Sequence, residues 1–314
     1  FTTIPYRAMG PFLQKRFGRR TFKIGVDAGF SCPHRVTKNE SGVERQRGCS
    51  FCAEEGSRSP LIGQEKNLRA QIEKSSGYWW RKYPDCGFLL YFQAFTNTFA
   101  SPEVLRERYQ QGLACQEFSG MIVGTRPDCV GAEVADVLQS FQTVDREVWV
   151  ELGQQTIHPT SLQLLRRGHG TKEYQQAAKD LAHRGIAVIP HVIFGIPGEG
   201  QKEREETIRW LVENTPSLLG IKIHNLLLLP GTSLYAQWEQ GKIDAYSMDE
   251  HLEALISVLE HIPPEVVIMR LTADIPLYQQ KAAEIPGELW PSTVFTGRLQ
   301  QRMREIGTWQ GRRA

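Results

Sequence analysis

The stretch Ala187-Val-Ile-Pro-His-Val-Ile-Phe-Gly-Ile-Pro-Gly-Glu-Gly200 decides the fold class, because it joins a strand pattern to a helix pattern through a glycine-rich turn. Its first eight residues are mostly β-branched, apolar or aromatic, which is typical of a buried strand. The amphipathic run Lys202–Asn214 follows and predicts a helix. A strand, a polar turn and a helix in this order form one βα unit of a parallel sheet.

The same pattern repeats along the chain in both directions. With Ala187–Phe194, the strand-like runs Thr21–Asp27, Gly87–Gln93, Gly120–Thr125, Glu147–Leu152 and Gly220–Leu228 make six. The helix-like runs are Gln64–Lys82, Pro102–Gln116, Ala132–Phe141, Thr160–Arg167 with Lys172–His183, Lys202–Asn214 and Met248–His261. Polar and glycine-rich residues gather just after the strands. The sequence therefore predicts an α/β protein, an incomplete (βα)6 TIM-like barrel with its site at the C-terminal ends of the strands.

The two ends of the chain depart from this repeat. We expect a basic N-terminal extension over residues 1–20, the barrel over residues 21–262, and a C-terminal extension over residues 263–314 that packs on the barrel. The last segment includes one further strand-like run, Val266–Leu271. Hydrophobic (40%) and charged (23%) contents are ordinary for a globular protein, so the chain can bury a full core.

Charge is distributed unevenly along the chain. The net charge is +2, but residues 1–23 carry +6 and residues 298–314 carry +4, which leaves −8 for the rest. Basic ends on an acidic body fit a polyanion such as tRNA, bound where the terminal segments converge with the strand-end rim. Short arginine runs that are simply solvated fit the same composition.

Localisation follows from what the sequence lacks. Its apolar runs, such as Leu226–Leu229, are far shorter than the roughly 20 residues that cross a bilayer. Residues 1–10 show no secretory-signal pattern. We expect a cytoplasmic protein with no membrane partner.

Three of the six cysteines lie in one long loop, Gly29–Pro60. Cys32 precedes a proline, and Cys49 and Cys52 form a Cys-x-x-Cys pair. Thiolates are the protein ligands of iron-sulfur clusters. Three thiolates on a cube-shaped cluster leave one iron open for an exogenous ligand, as catalytic metal sites do. The loop therefore predicts a 4Fe-4S site, and the scattered Cys86, Cys115 and Cys129 are expected to be buried thiols outside it.

A zinc site is the structural alternative for the same loop. His34 would then be the fourth ligand, and the chain would be a non-catalytic zinc-binding module. The Cys32-x-His34 spacing is tighter than the usual spacing within zinc-ligand pairs, which favours the cluster.

The stretch Phe22–Pro33, followed by Gly48–Cys52, resembles the opening motif of the radical S-adenosylmethionine (SAM) superfamily, and specifically the Elongator-like branch with the YhcC/YtqA proteins. The resemblance extends over roughly residues 10–300. It implies that Cys32, Cys49 and Cys52 hold the cluster, that the fourth iron binds SAM, and that Phe51 lies against the adenine. Sixteen residues separate Cys32 from Cys49, more than in its relatives, with an insert near Val36–Gln46.

The resemblance also assigns residues of the strand-end rim to SAM. The family's Gly-Gly-Glu element for the SAM amino group is missing after the second strand. Gln93, Thr96 and Asn97 are its candidate replacements there, although Asn97 fits a hydrogen-bonded turn equally well.

Later strand ends supply further SAM contacts by resemblance. Glu151 and Gln155 would approach the ribose or amino group, and Arg167 the carboxylate, whose two oxygens match a guanidinium fork. The glycine-rich turn with Gly195, Pro197 and Gly198 would let backbone groups approach the nucleoside.

Two further features leave alternatives open. The Thr-Arg-Pro-Asp element that contains Arg126 and Asp128 resembles one of the Elongator-like branch, and the pair fits a structural ion pair equally well. Lys222 and His224 alternate on the sixth predicted strand, so they share one face and are both expected to point inward. They are candidates for a catalytic role toward the substrate, or members of a satisfied core network, because a buried charge needs a partner.

The resemblance implies an enzyme that uses the cluster to cleave SAM reductively to a 5'-deoxyadenosyl radical. It implies modification of the wobble-uridine side chain of tRNA, an electron donor such as flavodoxin or ferredoxin, and a partner methyltransferase. No segment resembles the acetyltransferase domain of the Elongator catalytic subunit, so remodelling of an attached side chain is expected rather than acetyl-CoA-dependent addition. A radical SAM enzyme acting on a small metabolite or a peptide is the open alternative.

Overall fold

The computed structural model describes residues 4–35, 48–53, 56–273, 286 and 291–314. One parallel sheet runs in chain order through β1 Thr21–Val26, β2 Gly87–Phe92, β3 Gly120–Thr125, β4 Glu147–Gln155, β5 Ala187–Phe194, β6 Gly220–Asn225 and β7 Val267–Arg270. Among these residues β1 and β7 are the edges of the sheet, so the barrel is incomplete. The predicted α/β, TIM-like architecture is confirmed. The count of six strands was one short, because the run Val266–Leu271 forms β7 beside β6.

The helices lie mostly where the periodicity placed them. They are α1 Met9–Phe17, α2 Leu68–Lys82, α3 Pro102–Leu113, α4 Ala132–Gln139, α5 Pro159–Leu164, α6 Thr171–Ala182, α7 Gln201–Glu213, α8 Ser233–Glu239, α9 Met248–Leu259 and α10 Ser292–Glu305. The second helix begins later than the predicted Gln64, because Asn67 caps it by accepting a hydrogen bond from the backbone N–H of Ala70 (3.0 Å). The sequence patterns gave no signal for α1, α8 or α10.

Two strand ends differ from prediction at the rim. The fourth strand extends past Leu152 to Gln155, through an irregularity in its pairing with β5 after Gly153. Gln155 has a positive φ of 73°, which is unusual for a residue with a side chain and marks a local backbone constraint. The sixth strand ends at Asn225 rather than Leu228. The segment that follows β7 holds this end, because the Asn225 Oδ1 accepts hydrogen bonds from Thr272 and Ala273.

The N-terminal end of the barrel interior is filled and apolar. Leu13 of α1 is buried there against inward-facing residues of the strands, including Ile122 and Ile189. The ring of Phe12 lies 6.2 Å from that of Trp149 at the start of β4. The first helix therefore closes this end of the barrel, and the main core lies on the other face of the sheet, under the surrounding helices.

The terminal segments meet each other at this closed end. The backbone N–H of Gln310 donates to the carbonyl of Pro5 (2.9 Å), and that of Ile268 donates to the carbonyl of Arg7 (2.8 Å). Arg16 pairs with Glu147, the first residue of β4 (2.6 Å). For Arg16 the expected convergence with the strand-end rim is wrong, because a strand of six residues puts about 20 Å between the two ends.

No helix within the described ranges is both long and apolar enough to cross a lipid bilayer.

Candidate active site

A cavity of about 330 Å³ opens at the C-terminal ends of the strands. The three clustered cysteines line it. The other predicted site residues that line it are Phe51, Gln93, Thr96, Glu151, Gln155, Arg167, Lys222 and His224. The structure thus brings together residues from six strands, β2 to β7, and from the cysteine loop. The predicted insert Val36–Gln46 lies outside the described residues.

Four residues that were assigned to SAM lie away from this cavity. Asn97 is fully buried, and its side-chain amide donates to the carbonyls of Phe92 (3.1 Å) and Gly124 (2.8 Å), so it holds a turn. Gly195, Pro197 and Gly198 line a separate outer cleft of about 840 Å³. A Cβ at position 195 would lie 2.2 Å from the ring of Tyr246, so this glycine is required for packing.

Each of the three clustered thiols has a polar donor beside it. The hydroxyl of Thr96 donates to the Cys32 Sγ (3.1 Å), and the Arg167 Nη1 donates to the Cys49 Sγ (3.1 Å). The Arg35 Nη2 lies 4.0 Å from the Cys52 Sγ. Hydrogen bonds to the ligand sulfurs are one of the means by which proteins set the reduction potential of a cluster.

The donor set fits an iron-sulfur cluster. Burial, and secondarily the nearby thiol of Cys49, raise the pKa of Cys52 to about 11, so the apoprotein keeps this thiol protonated until a metal displaces the proton. No three His, Cys, Asp or Glu residues in the described ranges converge on one ion. A cluster offers a different iron to each thiolate, so its ligands need not converge on one point.

The residue that the zinc alternative requires is already engaged. The His34 Nε2 lies 2.7 Å from the Arg126 Nη2. A Cβ at Gly168 would lie 2.4 Å from the same imidazole nitrogen, so the ring is wedged against the backbone there. These contacts fix the His34 ring beside Arg126 and Gly168.

Arg126 forms the ion pair that the sequence left open, and it also reaches the cysteine loop. Its guanidinium binds both carboxylate oxygens of Asp128, at 2.9 and 2.8 Å. The Nη2 also donates to the backbone carbonyl of Arg167 (2.5 Å), and the Nη1 lies 3.9 Å from the Cys49 Sγ. The pair therefore holds the loop that presents Arg167 to the cysteines.

A charged network lies deeper in the barrel. The Glu151 Oε2 accepts hydrogen bonds from the Lys222 ammonium (2.5 Å) and from the hydroxyl of Tyr91, and its Oε1 lies 3.4 Å from the Lys23 Nζ. Burial alone would raise the pKa of Glu151, but the two ammonium groups outweigh it and hold this pKa well below its usual range. Burial lowers the pKa of Lys222 to about 8 against the opposing effect of Glu151. Lys222 is therefore part of a core network, and both oxygens of Glu151 are occupied.

Sequence reasoning missed His191, which lines the same cavity next to His224. The available signal was alternation, since Ile189, His191 and Ile193 share one face of β5. Buried histidines are common enough in strands that alternation alone does not single one out.

The scattered cysteines were only partly placed correctly. Cys86 is buried as expected, whereas Cys115 and Cys129 are only partly buried. Burial raises the pKa of Cys129 to about 12, and Cys32 lies close enough to add to this shift. Cys129 therefore belongs to the surroundings of the cysteine loop.

Comparison with known proteins identifies the family. The radical SAM superfamily model matches residues 96–211, and the Radical_SAM C-terminal domain model matches residues 218–304. The uncharacterized protein YtqA of Bacillus subtilis is 33% identical over 98% of this chain and 92% of its own length. Protein YhcC of Escherichia coli K12 is 33% identical over 93% of this chain and 89% of its own. The chain belongs to the radical SAM superfamily and, within it, to the group that includes YtqA and YhcC.

Two more distant matches cover a smaller share of the other protein. The tRNA uridine(34) acetyltransferase of Methanocaldococcus jannaschii is 30% identical over 50% of this chain and 28% of its own length. The solved structure of Elp3 from Methanocaldococcus infernus superposes with a TM-score of 0.63 at 20% identity, over 80% of this chain and 60% of that one. This structural match is a likeness of fold.

Proposed function

We propose that the chain is a radical SAM enzyme in which Cys32, Cys49 and Cys52 hold a 4Fe-4S cluster that cleaves SAM reductively. The proposal rests on one observation: in a chain of this superfamily, the three thiols line a single cavity at the C-terminal ends of the barrel strands. When bound, the cluster and SAM supply a 5'-deoxyadenosyl radical that takes a hydrogen atom from the substrate. An external one-electron donor such as flavodoxin or ferredoxin completes the system.

The residues of this chain would hold SAM in the upper part of the cavity. Phe51 packs beside the apolar cluster that includes Ile193 and Leu226, and offers a face for the adenine. The Gln155 Oε1 and the Arg167 Nε are buried and have no hydrogen-bond partner among the described residues. They are available to the amino and carboxylate groups of SAM, respectively, with Gln93 and Thr96 beside them.

The resemblance implied that Glu151 contacts SAM, but in this proposal it does not. Both its oxygens are engaged by Lys222, Tyr91 and Lys23. Its role is to organise the lower part of the cavity, where the substrate would lie.

We propose tRNA as the substrate, with the wobble-uridine side chain as the modified group and a methyltransferase as a later partner. The support is the 30% identity to a protein named tRNA uridine(34) acetyltransferase. A small metabolite or a peptide is the second candidate. It is favoured by the position of Arg16 and its terminal neighbours at the closed end of the barrel, far from the cavity.

The cofactor proposal is tested by anaerobic reconstitution of the full chain with iron and sulfide, followed by reduction in the presence of SAM. Brown protein that contains iron and sulfide, and that releases 5'-deoxyadenosine, is the expected result. Colourless protein that binds zinc stoichiometrically would establish the zinc module instead. A tRNA modification profile of a deletion strain tests the substrate, since an unchanged profile would leave the small-substrate candidate.

A further inference from the structure

The lower part of the cavity is built from side chains of four strands, which we call the barrel floor: Tyr91 of β2, Glu151 of β4, His191 of β5, and Lys222 and His224 of β6. All five line the same cavity as the three cysteines. The residues lie between the apolar plug at the closed end and the cysteines at the rim.

One carboxylate at the barrel floor serves two ammonium groups. Among the described residues, the buried Lys222 and the partly exposed Lys23 share the carboxylate of Glu151, at 2.5 and 3.4 Å. The Lys222 and Glu151 residues are only 4% and 3% exposed. The buried ammonium of Lys222 therefore has only a share of this carboxylate, and a buried charge is costly unless an opposite charge compensates it.

Two imidazoles at the barrel floor present unused hydrogen-bonding groups to the cavity. The rings of His191 and His224 lie 4.3 Å apart at 63°. The Nε2 atoms of both are buried and have no hydrogen-bond partner among the described residues. Burial is the main cause that lowers the pKa of each ring well below its usual value, so both are neutral at pH 7. A neutral imidazole still has one N–H to donate, and leaving such a group buried and unpaired costs free energy.

We propose that the barrel floor binds an oxyanion group of the substrate, a carboxylate or a phosphate, held by the Lys222 ammonium and by N–H donors of His191 and His224. Such a group supplies both missing parts, the compensating charge and the hydrogen-bond acceptor. It also fixes the substrate by one end, with its remaining part directed toward the cysteines. The proposal depends on the proposed function only for the substrate as the source of the anion, because binding at the floor requires neither cluster nor SAM.

Glu151 gives this proposal a directional test. In the empty site the carboxylate neutralises Lys222, so it competes with an incoming anion. Measured at a pH low enough to keep the Lys222 ammonium charged without its carboxylate, the neutral isostere Glu151→Gln should tighten anion binding about tenfold, whereas Lys222→Met should abolish it. A loss of fold would weaken binding in both variants, so the opposite signs separate the proposal from simple damage.

The measurement is NMR of the full chain with labelled histidines, titrated separately with acetate and with inorganic phosphate. The ring signals of His191 and His224 are assigned with His191→Gln and His224→Gln. The matched control is the exposed pair Lys202 and Glu206, whose Nζ–Oε1 distance is 3.8 Å, changed in the same two ways. These control variants should bind both anions as the parent does.

Saturable shifts of the two ring signals by either anion, tightened by Glu151→Gln, would support the proposal, and the tighter anion identifies the class of oxyanion. The proposal would be overturned if neither anion shifted the two ring signals. It would also be overturned if the folded parent, Glu151→Gln and Lys222→Met bound the anions with equal affinity. Failure of the parent chain to assemble a cluster on reconstitution, with anion binding intact, would contradict the proposed function and leave the floor site standing.

Discussion

The two ends of the barrel share the same strands but differ in what fills them. At the N-terminal end, Leu13 and its apolar neighbours plug the interior, and Arg16 at the surface there is paired with an acid. At the C-terminal end, thiols, imidazoles and amides surround a cavity, and several of their polar atoms have no partner among the described residues. A parallel barrel thus places stability at one end and chemistry at the other, because the loops at the C-terminal end are free to carry functional groups.

The largest expected effect is at the cysteine rim. Cys49→Ala should abolish cluster assembly and reductive SAM cleavage, because it removes one of three ligands from the cluster. Cys86→Ala, at the closed end of the barrel beside the start of β2, should retain full iron, as should Cys115→Ala and Cys129→Ala. Iron and sulfide are quantified after anaerobic reconstitution. Full iron in the Cys49 variant would show that the cysteine loop is not the cluster site.

The next effect concerns stability at the barrel floor. Glu151→Gln leaves the ammonium of Lys222 buried without its partner and should cost about 3 kcal/mol of unfolding free energy. Glu206→Gln breaks the exposed pair with Lys202 and should cost under about 0.5 kcal/mol. Urea denaturation at pH 7 measures both. Equal costs would mean that water solvates the floor as well as it does the surface.

Acid should weaken the rim through its buried neutral histidines. Burial, with Arg167 as the next cause, lowers the pKa of His169 to about 3, so the unfolded chain binds a proton near pH 6.5 that the folded chain does not. The contribution of His169 to the free energy of unfolding is fully present above about pH 6.5, and it has fallen by about 2 kcal/mol at pH 5.

The pH effect is measured by urea unfolding of His169→Gln at pH 7.5 and 5. The variant should lose about 2 kcal/mol less between the two pH values than the parent. His183→Gln, at an exposed position, is the control and should behave as the parent. An identical pH dependence in all three proteins would show that His169 has the same pKa in the folded and the unfolded chain.

The smallest expected effect is at the closed end. Replacing Arg16, Arg19 and Arg20 together by glutamine should leave SAM cleavage unchanged. The slope of log affinity against log salt concentration for tRNA binding should change by less than about 0.9, which is the contribution of one phosphate contact. The reason is that an RNA group entering the cavity approaches from the opposite end. If the slope of the triple variant were shallower than that of the parent by about 2 or more, tRNA would also cover the closed end.

The sequence by itself determined the parallel α/β barrel, the limits of β3 and β5, and the cysteine loop. It also put Lys222 and His224 on the inner face, because side chains along a strand alternate. Periodicity is local, however, and says which face a residue takes without saying what stands opposite.

Only the tertiary structure decided the partners of those residues. Lys222 meets Glu151 across 71 positions of sequence, and Arg167 reaches Cys49 across 118. The same folding turned Asn97 into a buried turn residue and carried Arg16 to the closed end. Composition counts charges, but the free energy of a charge depends on its burial and its nearest opposite charge, and both are fixed only when distant strands come together.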